Sequence, residues 1–146
     1  MRRIQLEFDL FAEQDAANIA RSTLILSLVL QLLVLANFLY LLLHRATPLL
    51  YASGVRYVRE PPGEEHWQTF PALYRSGRGD CEDLAAARVA ELWMLGERGA
   101  RIDTQWRFDA RGDRLYHVFV RRADGSPEDP SRLLGMGTHA PFRRTT

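Results

Sequence analysis

The chain has a single cysteine, Cys81, at a position where a glycine-rich loop gives way to a helix-forming run. The run Gly79-Asp80-Cys81-Glu82-Asp83 is followed by a leucine and three alanines, which predicts a helix that begins at the cysteine. Asp80 is the predicted N-cap, with Asp83 three residues later as in a capping box. The free N–H groups and the positive dipole end of a helix N-terminus stabilise both a thiolate and an oxyanion. Cys81 is therefore a candidate nucleophile.

Acidic neighbours oppose this role for the cysteine. Asp80, Glu82 and Asp83 place negative charge around the sulfur, and like charge raises the pKa of a thiol. A basic partner is then required for catalysis. The alternative interpretation of a lone cysteine, a small buried core residue, is the more common one in proteins.

A histidine and an acid follow downstream, in a pattern typical of two neighbouring strands. Residues 115–120 alternate as a half-buried strand does, and His117 lies among them. After a turn that contains Asp124 and Gly125, Asp129 returns on the next strand. A cysteine at a helix start, a histidine on one strand and an acid on its neighbour match the nucleophile, base and orienting group of a catalytic triad.

The register of this hairpin decides whether His117 and Asp129 share a face of the sheet. A two-residue turn at Asp124 and Gly125 would place them on opposite faces, because side chains alternate along a strand. A three-residue loop with Gly125 in the left-handed conformation would place them on the same face. The triad therefore predicts the longer loop or a bulge. If the turn is tight instead, Glu128 replaces Asp129 as the candidate for the acid that orients His117.

These motifs resemble the transglutaminase-like branch of the papain-type cysteine peptidase superfamily, and most closely its small proteins from tailed phages and prophages. The resemblance rests on Gly-Asp-Cys-Glu-Asp around Cys81, Tyr-His-Val-Phe-Val around His117, and Glu-Asp-Pro-Ser-Arg-Leu-Leu-Gly-Met from Glu128 onward. It covers residues 47–136, and the cysteine motif is its most specific part.

The resemblance implies a role for each member of the triad. Cys81 would be the nucleophile, His117 the general base and Asp129 the residue that orients the imidazole. Both Trp67 and Gln68 are candidates for the hydrogen-bond donor to the oxyanion. The implied fold is α+β, with the cysteine-bearing helix packed on a small antiparallel sheet. The implied reaction is hydrolysis or acyl transfer at an amide of a peptide or protein substrate.

The second prominent feature is an uncharged stretch over residues 23–43, dominated by leucine, isoleucine, valine and phenylalanine. Its length suffices for a helix that crosses a bilayer, which takes about 20 residues. A helix packed on other virion proteins or on a second copy of the chain has a similar composition. Arginines flank the stretch on both sides, so its charges set no membrane orientation.

Three classes of function follow from these two features. The first is a cysteine hydrolase or acyl transferase. The second is a virion structural or assembly protein, in capsid, connector or tail, that keeps the fold without needing catalysis. The third is a membrane-anchored protein. The first two predict a location in the virion or the host cytoplasm, and the third predicts a membrane.

The sequence divides into residues 1–46 as an N-terminal arm and apolar helix, residues 47–136 as the transglutaminase-like domain, and residues 137–146 as a tail. The predicted fold class is α+β. Periodicity and turn residues predict the following elements: a strand-like arm over 4–10, one long helix or two over 11–44, a turn over 61–63, a loop over 76–79, a helix over 81–95, strands over 100–108 and 114–122, a turn over 111–113, and a short strand around Glu128.

Composition and charge exclude several other classes. A formal net charge of +1 over 146 residues does not indicate nucleic-acid binding. A single cysteine excludes a disulfide scaffold. Zinc would need Cys81 and His117 together with His44, His66 or His139, and this spacing is unlike that of zinc sites, so we predict no metal and no cofactor. The acidic segment before the apolar stretch is unlike a signal peptide.

Overall fold

The computed structural model describes residues 16–61, 66–108 and 114–137. In this part of the chain the architecture is α+β, with a long apolar helix at the N-terminal end, as predicted. The helices are α1 (Ala16–Leu43), α2 (Phe70–Ser76), α3 (Cys81–Met94) and α4 (Pro130–Leu133). The strands are β1 (Arg56–Tyr57), β2 (Arg78–Gly79), β3 (Arg101–Phe108), β4 (Arg114–Arg121) and β5 (Pro127–Glu128). A short 3₁₀ helix, Leu50–Ala52, follows α1.

Strands β3, β4 and β5 form an antiparallel sheet with β4 in the middle. β3 and β4 pair along their whole length, whereas β5 is short and pairs Glu128 with Val120 of β4. β1 and β2 form a separate parallel pair, in which Tyr57 lies opposite Gly79. The larger sheet therefore places the histidine strand between its two neighbours.

Several short elements were not predicted from the sequence. Residues 76–79, predicted as a loop, end α2 and form β2, and α4 follows directly after β5. Two-residue strands and helices of four to seven residues are too short to show a periodic pattern. The following predicted features lie wholly or largely outside the described residues: the arm over 4–10, the turns over 61–63 and 111–113, and the tail over 137–146.

Helix α3 lies at the centre of the fold, with hydrophobic clusters on two of its sides. The first cluster joins α3 to the middle of α1 and to β4, and its largest aliphatic members are Leu30, Leu33, Val34, Val89, Leu92, Val118 and Val120. The second joins α3 to α2 and to the end of α1, with buried Leu41, Leu50, Phe70, Leu73 and Leu84. The surrounding elements therefore fix the position of α3.

Helix α1 buries one side against the rest of the chain and exposes the other. On the buried side, the Oδ1 atom of Asn37 accepts a hydrogen bond from the N–H of Phe70 at 2.7 Å. On the other side is the exposed leucine row, whose members are between 46% and 80% exposed: Leu24, Leu28, Leu32, Leu35, Leu39 and Leu43. By length and composition α1 meets the requirement for crossing a membrane, which core helices of soluble proteins and signal sequences also meet.

Candidate active site

Helix α3 begins at the cysteine, as its sequence predicts. Asp80 is the N-cap, and its Oδ1 atom accepts the N–H of Asp83 at 3.3 Å. Gly79 lies where α2 passes close to this helix start. A Cβ atom at Gly79 would be 2.6 Å from the side chain of Leu73 and 3.0 Å from the Cβ of Asp83. The glycine is thus required for the close approach that places Cys81 in the first turn of α3.

The β4–β5 hairpin has the register that the triad requires. It closes with a three-residue loop, in which Gly125 adopts a left-handed φ of +87°. Val120 consequently pairs with Glu128, not with Asp129. Because side chains alternate along each strand, Asp129 and His117 lie on the same face.

His117 and Asp129 are in direct contact. The Nε2 atom of the imidazole lies 2.9 Å from Oδ2 of Asp129, and the two side chains are 8% and 19% exposed. The ring of Phe119 stacks near the imidazole, with 6.4 Å between the centroids. When the Nε2–H group donates to the carboxylate, Nδ1 is the unprotonated nitrogen and can act as a base. Nδ1 has no hydrogen-bond partner within the part of the chain that the structure describes.

Cys81 lies at the open edge of β4, beside the peptide bond between His117 and Val118. The N–H group of Arg122 points towards β5. Because every second N–H group along a strand points the same way, the N–H group of Val118 also points to this side of β4. β5 ends at Glu128, before it reaches Val118. The N–H of Val118 instead approaches the sulfur of Cys81 closely enough to favour the thiolate. The candidate nucleophile is thus next to the backbone of the candidate base.

The thiol itself is directed at another residue. Sγ of Cys81 donates a hydrogen bond to Oε2 of Glu82 at 2.8 Å, and both side chains are buried. The pKa of the thiol is well above its ordinary value. Burial is the largest cause of this shift, and the charge and the hydrogen bond of Glu82 are the next largest. Within the described residues no hydrogen bond joins Cys81 to His117. Spacing gave no signal for the contact with Glu82, because adjacent helix residues do not normally face each other.

Three carboxyl groups surround the start of α3. Asp80, Glu82 and Asp83 are all buried. Asp83 is held by Gln68, whose backbone N–H lies 2.6 Å from Oδ1 and whose side-chain nitrogen lies 2.8 Å from Oδ2. Burial, and then the charge of Asp80, raises the pKa of Asp83 to about 8. Burial also raises the pKa of Asp80. Burial therefore favours the protonated forms of Asp80 and Asp83.

The two candidate oxyanion donors differ in their surroundings. The side-chain amide of Gln68 is occupied, since it donates to Asp83 and to the carbonyl oxygen of Arg78 at 3.1 Å. Trp67 packs against the cluster that contains Cys81, and its Nε1–H is buried with no hydrogen-bond partner in the described part of the chain. Of the two side chains, Trp67 is accordingly the one whose N–H group is available among the described residues.

Asp83 leads to a prediction for the stability of the protein. Between about pH 4 and about pH 8 the folded state keeps a proton on this residue that the unfolded chain releases. The free energy of unfolding should therefore fall as pH rises, by up to about 1.4 kcal/mol per pH unit. Thermal unfolding across this range measures the slope. Asp83→Asn keeps the shape of the side chain and one oxygen for the backbone N–H of Gln68 but cannot titrate, so it should flatten the slope. An unchanged slope would contradict the assignment.

Comparisons with protein-family models, with curated proteins and with solved structures find no match to this chain. Among the described residues, no group of three or more histidine, cysteine, aspartate or glutamate side chains is arranged to hold a metal ion. The case for a function therefore rests on the geometry of Cys81, His117 and Asp129.

Proposed function

We propose that the chain is a transglutaminase-like cysteine-triad protein of the kind encoded by tailed phages and prophages, which hydrolyses or transfers an amide acyl group of a peptide or protein. One observation carries the proposal: the 2.9 Å contact between His117 and Asp129. Cys81, at the start of α3, lies near the backbone of the strand that bears His117. The packing of α3 on a small antiparallel sheet also agrees with what the resemblance implies for the core.

The proposed reaction begins when the sulfur of Cys81 attacks the amide carbonyl carbon. The thiol proton passes to Nδ1 of His117, and the π electrons of the carbonyl move to its oxygen. The carbon–nitrogen bond then breaks, and the amine leaves with the proton from His117. Asp129 holds the Nε2–H group throughout and thereby fixes the orientation of the ring. Trp67 is the proposed donor to the oxyanion.

The resulting thioester is released by a second attack. Water or an amine adds to the carbonyl, gives its proton to His117 and displaces the sulfur, which recovers a proton. The sequence contains no lysine, so an amine acceptor on a side chain would have to come from another molecule. Hydrolysis needs only water.

Intact-mass analysis after treatment with p-nitrophenyl acetate tests the proposed nucleophile. We expect one acetyl group on Cys81 in the native chain, no acetyl group in Cys81→Ala, and slow loss of the adduct by deacylation. The absence of lysine makes the readout clean, because no side-chain amine competes for the ester. An unmodified native chain, under conditions that acetylate the denatured chain, would contradict the proposal.

The exposed leucine row supports a second candidate, attachment of the chain to a larger assembly. The row extends over about 28 Å, from the helical rise of 1.5 Å per residue, and it is a contiguous apolar surface of the kind that marks interaction sites. The proposed partners are other virion proteins, a second copy of the chain or a membrane. Sedimentation with phage particles supports a virion location, and partition into detergent supports a membrane.

A further inference from the structure

Glu82 is the residue to which the thiol of Cys81 is bonded, and the reaction described above gives it no part. We propose that Glu82 is a positioning residue that holds Cys81 as a resting thiol, so that its proton reaches His117 only after the Cys81–Glu82 hydrogen bond is broken. The inference rests on the proposed role of Cys81 as nucleophile.

The geometry of the Cys81–Glu82 pair is the first support. The sulfur and Oε2 lie 2.8 Å apart, and each residue is only 8% exposed, so water competes weakly for either group. A hydrogen bond between buried partners is stronger than the same bond in water. The thiol proton is therefore committed to Glu82 and not to the imidazole.

The second support is that Glu82 is itself held in place. It lies in the first turn of α3 and is buried there. Asp80 is in turn fixed as the N-cap of α3, where it accepts the N–H of Asp83. The capped start of α3 and the burial of Glu82 thus keep the Glu82 side chain directed at the sulfur.

The remaining ionisable groups around the sulfur do not replace Glu82. Tyr57 of β1 and Tyr116 of β4 pack near Cys81, and burial is the main cause that raises the pKa of each to about 12, so both are neutral at pH 7. His117 and Asp129 are engaged with each other. Asp80 is the N-cap of α3 and accepts the N–H of Asp83. The charge that bears most directly on the thiol is therefore that of Glu82.

The test is the rate of Cys81 alkylation by iodoacetamide as a function of pH. Glu82→Gln keeps the shape of the side chain and removes its charge. We expect this variant to react at least about 10-fold faster than the native chain at pH 7, the effect of a one-unit change in pKa. Glu97→Gln is the matched control, because it removes a carboxylate just beyond the C-terminal end of α3, and it should react at the native rate.

A second substitution separates this inference from the proposed function. Adding His117→Ala to Glu82→Gln should abolish the gain in rate if His117 takes the proton. A gain that persists in the double variant would support the role of Glu82 and contradict the Cys81–His117 pair. A rate in Glu82→Gln within about twofold of native, well below the factor of ten for one pKa unit, would overturn the inference itself.

The infrared S–H stretching band provides a readout on the native chain, should Glu82→Gln fail to fold. Cys81 is the only cysteine, so the band has a single source. A free thiol has a pKa of about 8.5 and is half deprotonated at that pH. At this pH we expect the S–H band of Cys81 at full intensity. A band reduced to half or less at that pH would overturn the inference.

Discussion

Leu30→Ala should lower the free energy of unfolding by about 2–5 kcal/mol, whereas Leu32→Ala should change it by no more than about 0.5 kcal/mol. The two leucines lie two residues apart on α1, and the substitutions change helix propensity equally. They differ in surroundings: Leu30 is fully buried between α1, α3 and β4, and Leu32 is 64% exposed on the leucine row. Denaturant unfolding of both variants measures the difference.

This matched pair decides how α1 is used. If α1 packs on α3 in solution, only the buried leucine contributes to the stability of the domain. Equal effects of the two substitutions, or a larger effect at Leu32, would contradict the packing of α1. Asn37 provides an independent check, because its contact with the N–H of Phe70 exists only when α1 is docked on α2.

Arg88→Met should destabilise the protein by about 3–5 kcal/mol, the cost of leaving a buried charge without its partner. Glu91 is 1% exposed, and Arg88 lies 3.1 Å from its Oε2 atom. Arg88 also lies 2.6 Å from Glu128 of β5. Burial raises the pKa of Glu91, whereas the N–H of Leu50 and the guanidinium of Arg88 oppose this shift. Denaturant unfolding at neutral pH gives the size of the loss.

A rescue variant tests the cause of that loss. Glu91→Gln added to Arg88→Met should recover most of the stability, because a neutral amide needs no cation and its oxygen still accepts the N–H of Leu50. Glu128 needs no second substitution, since Arg122 remains 2.6 Å from it. A double variant no more stable than Arg88→Met would show that the loss comes from packing and not from an uncompensated charge.

The features that the sequence predicted depend on short stretches of chain. The start of α3 follows from the N-cap Asp80 and the run of helix formers after it. The strands follow from alternation, and the His117–Asp129 contact follows from the hairpin loop at Gly125. In each case the signal and the structure it determines lie within about 15 residues, so local propensity and turn geometry suffice.

The features that the sequence did not predict depend on contacts between distant parts of the chain. The orientation of α1 is set by the buried contact of Asn37 with Phe70, 33 residues away. The thiol bond to Glu82 joins neighbouring residues, but it forms where the packing of α3 on β4 buries both side chains. Side-chain periodicity contains no information on either contact. Helices α2 and α4 were not predicted because they have only 7 and 4 residues, too few to show a helical period of 3.6 residues over several turns.

The most direct test of the triad is the rate of Cys81 acetylation by p-nitrophenyl acetate in the native chain and in His117→Ala. We predict a fall of at least about 100-fold in the variant, the contribution of a general base. His44→Ala, at an exposed histidine just beyond α1, is the matched control and should react at the native rate. Equal rates in the native chain and in His117→Ala would contradict the assignment of His117 as the base for Cys81.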